Sequence, residues 1–183
     1  MDINIRKFNV GDAPKLYAAV KESVAHLSPW LCWCTPAYSI NDAEFWVNTA
    51  ETEWNAGHDF RFVIECNLTK KFLGSVAINQ VIQQHKIGNL GYWIRQSELN
   101  QGACINAARK TIEYGFNELQ LQRIEICALE NNTANIAVAE KLGATYEGIL
   151  RNKLFHNGNS YPAKCYSLIP SDLSTLQAYE KIM

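Results

Sequence analysis

Two short apolar runs, residues 90–94 (Leu-Gly-Tyr-Trp-Ile) and residues 123–128 (Arg-Ile-Glu-Ile-Cys-Ala), flank one amphipathic stretch that begins near Gly102. No other feature constrains the fold as tightly. Between the runs, Cys104, Ala108, Ile112, Gly115 or Phe116, and Leu119 recur every three or four residues, the stripe of a helix with one buried face. Strand, helix and strand in that order imply a right-handed crossover between parallel strands.

The flanking segments make the sheet mixed. Residues 3–6 alternate and read as a short strand. Asp12-Ala13-Pro14 reads as a helix start, with Asp12 as cap and Leu16, Ala19, Val20 and Val24 on the apolar face. A second helix is expected to open at Asn41 or Asp42, with Phe45, Trp46, Thr49 and Ala50 at helical spacing, and to end before Gly57. Residues 60–65 and 72–78 form a hairpin across the polar turn 67–70. Asn132 caps a short helix with Ala134, Val138 and Leu142 on one face, and Gly143 closes it. Strands over 145–155 and 161–169 meet at Asn157-Gly158, a strong hairpin turn. The predicted order is β-α-α-β-β-β-α-β-α-β-β. It makes one α/β domain over residues 1–170, with residues 171–183 as a tail.

Charge is uneven along the chain. Residues 1–60 carry the basic residues Arg6, Lys7, Lys15 and Lys21 against eight acidic ones, and no Lys or Arg stands between Glu22 and Phe60. A solvated acidic face and a cation-attracting surface are both open readings of that stretch. No basic stripe is present to neutralise phosphates, so nucleic acid is not an expected partner. No apolar run reaches the ~20 residues of a membrane span, and residues 1–6 lack a signal core, so a cytoplasmic protein is expected. Cys32, Cys34, Cys66, Cys104, Cys127 and Cys165 match neither a zinc nor a Cys-x-x-Cys spacing. They read as reduced thiols, with Cys32 and Cys34 in a loop, and no metal site is expected.

Chemistry concentrates in residues 92–104, which run strand, tight polar loop, helix. Free amides at a helix start, with the positive end of its dipole, form an anion site. Gly102 removes a side chain where a pyrophosphate would approach. This is neither the three-glycine dinucleotide fingerprint nor a phosphate loop with Gly-Lys-Ser/Thr.

With Gly91-Tyr92-Trp93-Ile94, Asn132, Glu140-Lys141-Leu142-Gly143, Glu147-Gly148-Ile149-Leu150-Arg151 and Tyr166-Ser167-Leu168 in this order, the chain resembles the GCN5-related N-acetyltransferase (GNAT) superfamily. The resemblance covers about residues 3–170 and is to the ribosomal-protein N-terminal acetyltransferase (RimJ/RimL-like) branch. It implies the GNAT acyl-CoA N-acyltransferase fold and acetyl-CoA as cosubstrate. The pantetheine arm would lie between splayed strands beside Trp93 and Ile94. The pyrophosphate would rest on Asn100, Gln101, Gly102, Ala103 and Cys104. Asn132 and Lys141 would contact the cosubstrate, and Trp30 and Trp33 the acceptor, entering over residues 30–33 and the acidic second helix. That acceptor would be a primary amine: a ribosomal or other protein N-terminus, or a cationic small molecule. A homodimer is among the assemblies the resemblance allows.

The chain departs from that pattern at several positions. Leu99 opens the loop where the family has Gln or Arg. Asn135 stands where the branch has a serine proposed to protonate the departing thiolate, Ala139 where other members have a tyrosine, and Pro162 where the branch often has Asp. Asn135 is the expected group at the leaving sulfur. Glu125, Glu65 and His58 are candidates for a general base that no motif identifies. An α-amine loses its proton near pH 7 far more easily than a lysine (pKa about 7.7–8 against about 10.4), which favours N-termini. An acyl-CoA-binding module without catalysis is the alternative reading.

Overall fold

The computed structural model describes residues 1–173. It contains β1 (Ile3–Lys7), α1 (Ala13–Leu27), α2 (Ile40–Ala56), β2 (Phe60–Cys66), β3 (Phe72–Ile82), β4 (Ile87–Ile94), α3 (Ala103–Asn117), β5 (Arg123–Leu129), α4 (Thr133–Lys141), β6 (Thr145–His156) and β7 (Asn159–Leu168). The element order is the one expected. The strands form a single seven-stranded sheet in the order β1-β2-β3-β4-β5-β7-β6. Only the β4–β5 pair is parallel.

Both faces of the sheet are covered. On one, Ala107, Ala108, Ile112 and Phe116 of α3, Ala139 of α4 and Leu142 just after it pack on Ile64, Ile78, Ile124 and Ile126. On the other, Leu16, Ala19 and Val20 of α1 and Ala43 and Val47 of α2 pack on Val63 and Phe72. At the working ~25 cal/mol per Å² of apolar surface, such three-layer burial is the main stabilising contribution.

Several local expectations need correction. Asp12 does not cap α1 through its side chain. Its carboxylate instead takes the Arg6 guanidinium at 2.7 Å and the Asn9 amide at 2.8 Å, and Arg6 also reaches Glu65 at 3.1 Å. Helix α2 opens at Ser39, whose side chain and that of Asp42 cap each other's amides. Its buried residues are Ala43, Val47 and Ala50; Phe45 is 71% exposed, because at ~100° per residue it lies nearly opposite that face. On α4, Ala134 is exposed and Ala139 is buried, as is Leu142 just after the helix. Cys32 is exposed, whereas Cys34 is buried in the α1–α2 core and burial raises its pKa.

Strands β3 and β4 run longer than their apolar cores. The added residues 79–82 alternate half-buried and exposed, and the pairing shifts register between Asn79 and Ile82. Pro170–Asp172 forms a 3-10 turn and Leu173 packs on the core. The remainder of the expected tail, residues 174–183, lies outside the described residues. Among the described residues, no helix is long and apolar enough to cross a membrane.

Candidate functional site

Strands β4 and β5 pair only at Ile87–Arg123, Gly88–Ile124 and Asn89–Glu125. Beyond Asn89 they diverge. Leu90 to Ile94 stay paired to β3, while Ile126 to Leu129 stay paired to β7. The gap thus has two rigid walls whose inner edges carry backbone groups not used by the sheet. A Cβ at Gly74 would stand 2.1 Å from the Trp93 carbonyl oxygen, and Gly74 has φ +156°. Only glycine lets β3 bring the end of β4 to this position.

Helix α3 starts at the open end of this gap. Gly102 is its N-cap at φ +78°, with no side-chain cap, and a Cβ there would meet nothing within 4 Å. Asn100 also has positive φ, at +61°. The loop is therefore wound so that the first amides of α3 face open space instead of a capping side chain. An anion fits such a place by geometry and by dipole. Leu99 is 40% exposed and Ala103 is buried. Cys104 sits at the start of the helix with its pKa raised to about 12 by burial, so it stays a thiol.

Across the gap, Asn132 is buried and its side-chain oxygen accepts from the backbone N–H of Asn135 at 3.1 Å. It is thus a true N-cap, and its amide nitrogen remains for another partner. The Tyr92 hydroxyl of β4 donates to the Asn135 side-chain oxygen at 2.6 Å. Burial pushes the Tyr92 pKa up, which keeps that hydroxyl a donor. Lys141 is exposed in the last turn of α4.

Helix α1 is tied to the chain leaving β4. Glu22 pairs with Arg95 and accepts from the Ser97 amide at 2.8 Å. Ser23 accepts from the Gln96 amide at 3.0 Å, and His26 Nε2 lies 3.1 Å from the Ile94 carbonyl. These contacts hold the loop before Gly102 against α1.

A cleft of about 500 Å³ opens beside the gap, lined by Pro29 and Trp30, by Leu129, Glu130 and Asn131, and by His156, Asn157, Tyr161 and Pro162. Trp30 is among the lining residues; Trp33 is not. Trp33 stands against Trp93, Trp46 and Tyr38 at centroid distances of 6.1, 6.5 and 5.8 Å, an aromatic cluster joining α2 to β4. Nor do the acidic residues of α2 line the cleft. The β6–β7 hairpin supplies part of its wall, and its carboxylate is Glu130.

The three candidates for a general base each have an ion-pair partner. Glu125 is held by Arg123 at 3.0 Å and Lys153 at 3.3 Å. Glu65 is held by Arg6, and His58 lies on the surface 3.7 Å from Glu53. Sequence reasoning missed Glu130, His156 and Tyr161. No spacing links residue 30 to residues 156–162. Only the strand order, which folds β7 back between β5 and β6, brings them together.

YdaF of Bacillus subtilis (strain 168), provisionally named a ribosomal N-acetyltransferase, is 30% identical over 169 residues, covering 91% of each chain. The spermidine N(1)-acetyltransferase of Escherichia coli (strain K12) is 30% identical over 98 residues, covering 54% of this chain and 52% of its own. Among solved structures, RimL, the ribosomal L7/L12 alpha-N-protein acetyltransferase in complex with coenzyme A, superposes with a TM-score of 0.83 at 22% identity, covering 91% of this chain and 93% of that one. The family model described as the acetyltransferase (GNAT) domain matches residues 2–145. With the splayed strands and the open helix start, this match settles the family: the chain belongs to the GNAT acetyltransferases, in the neighbourhood of the RimJ/RimL-like enzymes.

Proposed function

We propose that the protein moves the acetyl group of acetyl-CoA to a primary amine by direct attack in a ternary complex, the amine being a protein N-terminus or a cationic small molecule. The observation that carries this reading is the opening between β4 and β5 beyond Asn89, ending at the uncapped start of α3. In this reading the pyrophosphate rests on amides of Asn100, Gln101, Gly102, Ala103 and Cys104, and the pantetheine arm runs beside Trp93 and Ile94. The free amide nitrogen of Asn132 supports the arm, and Lys141 sits within the same helix for the outer phosphates. A backbone amide near Trp93 to Ile94 polarises the thioester carbonyl, a contribution of several kcal/mol when preorganised.

The acceptor enters by the cleft at Trp30. Its aromatic wall and Glu130 suit an ammonium group. Asn135 steadies the departing sulfur through its amide N–H; an amide hydrogen-bonds but does not serve as an ordinary acid. Holding both substrates side by side supplies much of the acceleration. YdaF's name supports a protein N-terminus and the spermidine enzyme's name a small polyamine.

The test has two parts. Gly102→Glu directs a carboxylate at the pyrophosphate and should abolish acetyl-CoA binding in calorimetry, while Gly102→Ala, which shares the backbone strain, should keep most of it. Equal loss in both, or no loss in Gly102→Glu, would reject this placement. Initial rates over both substrates should give intersecting lines, with no acetylated protein when the acceptor is withheld. Parallel lines and a trapped acetyl-enzyme would reject direct attack.

A further inference from the structure

His156 ends β6, immediately before the Asn157-Gly158 turn, and faces Asn159 across the hairpin. It is only 8% exposed, yet no hydrogen bond or ion pair holds its ring among the described residues, and it lines the cleft. Its ring nitrogens are not among the buried unpartnered atoms, so they stay open to solvent, and the ring lines the cleft where an acceptor can reach them. The titratable groups lining the cleft with it are Glu130 from the β5–α4 connection and Tyr161 from β7; the α1–α2 loop contributes only Pro29 and Trp30. The cleft also touches Leu129, Glu130 and Asn131, the three residues before Asn132, so it adjoins the open end of the β4–β5 gap.

We infer that His156 is the general base of the acetyl transfer, taking a proton from the acceptor's ammonium group while Glu130 and Trp30 hold that cation in the cleft. The inference rests on the reading of the cleft as the acceptor site. His156 takes one proton from nitrogen and frees its lone pair. The nitrogen attacks the thioester carbon, the C–N bond forms, and the carbonyl becomes tetrahedral. Collapse breaks the C–S bond, and the thiolate leaves with the second proton lost by nitrogen. His156 gives its proton to water as the amide departs. Imidazole suits this exchange near neutral pH, and positioned proton transfer of this kind contributes about 10²–10⁴-fold. The residues proposed from sequence do not supply this group, since Glu125, Glu65 and His58 are paired or remote.

The experiment compares His156→Gln and His156→Ala with the unchanged protein, after thermal melts confirm folding. The acceptor is whichever of a serine-initiated hexapeptide, spermidine and glycinamide turns over fastest. We expect kcat to fall by about 10²-fold in both variants, with acceptor KM and acetyl-CoA affinity within about threefold of the parent. Added imidazole should restore part of kcat in His156→Ala only. In both variants kcat should rise with pH toward the acceptor amine's own ionisation, since only the free amine then reacts. Unchanged kcat in His156→Gln would overturn the assignment. So would a loss that imidazole does not relieve and that is matched by weaker acetyl-CoA binding, since that is the mark of a packing role. The parent reading has its own measurements. Trp30→Ala and Glu130→Gln should raise acceptor KM. If neither does, the acceptor site lies elsewhere, whatever His156 does to kcat. Turnover of none of the three amines would likewise defeat the parent reading.

Discussion

The Tyr92 hydroxyl donates to the side-chain oxygen of Asn135 at 2.6 Å, and so joins β4 to α4 across the opening where β4 and β5 part. This contact fixes which end of the Asn135 amide remains available. With its oxygen engaged, the nitrogen is the end left to donate. Tyr92→Phe removes the tether and leaves the oxygen unpaired. We expect a stability loss of about 1–2 kcal/mol in urea unfolding and weaker acetyl-CoA binding, because α4 is then free to shift against β4. A variant with parent affinity would show that the gap holds its width without the tether.

Gly74 sets the position of the other wall. Any Cβ there stands 2.1 Å from the Trp93 carbonyl oxygen, a backbone atom that cannot swing aside. Gly74→Ala therefore either pushes β4 away or strains β3. We expect a loss of about 2–3 kcal/mol in denaturant unfolding, together with a lower acetyl-CoA affinity in calorimetry. A stable variant with unchanged affinity would mean that the end of β4 is not the thioester wall.

The fold was legible because its periodicities are strong and local. The stripe of α3, the hairpin at Asn157-Gly158 and the start of a helix at Gly102 each depend on neighbouring residues only. What the sequence could not reveal depends on residues far apart in the chain. Asp12 looks like a cap until Arg6, on the strand before it, takes the carboxylate. Phe45 and Ala134 look buried because helical spacing gives a face but not its direction. Asn100 to Cys104 could be singled out, since a helix start advertises its own free amides. The cleft could not, because Trp30, Glu130 and His156 meet only through the order of strands in the sheet.

Acid should loosen the attachment of α1 to the loop after β4. Arg95 draws the Glu22 pKa down from its ordinary 4.5 to about 2, helped by the hydrogen bonds from Ser97. A carboxyl whose folded-state value lies below its unfolded value adds stability above the unfolded value. That contribution is complete above about pH 4.5 and disappears as the pH falls toward 2. The pair is partly solvated, so its contribution is under about 1 kcal/mol. Glu22→Gln should lower the melting temperature at pH 7 and converge with the parent near pH 2. A constant difference across that range would show that Glu22 stabilises by packing and not by charge.

The two tryptophans of the α1–α2 loop should separate cleanly by experiment. Trp33 stacks or edges against Trp46, Tyr38 and Trp93, so its ring is part of the packing between α2 and β4. Trp33 is 39% exposed, so Trp33→Ala removes ring contacts without leaving an enclosed void, and we expect a loss of about 1–2 kcal/mol with the acceptor KM of the folded protein little changed. Trp30 lines the cleft and joins no aromatic pair among the described residues. Trp30→Ala should cost under about 1 kcal/mol of stability, yet raise acceptor KM about tenfold through the lost cation–π contact. Urea unfolding and steady-state kinetics on the same two variants check both halves. If Trp33→Ala raises KM as much as Trp30→Ala at equal stability, the amine enters over the aromatic cluster and not through the cleft at the β6–β7 hairpin.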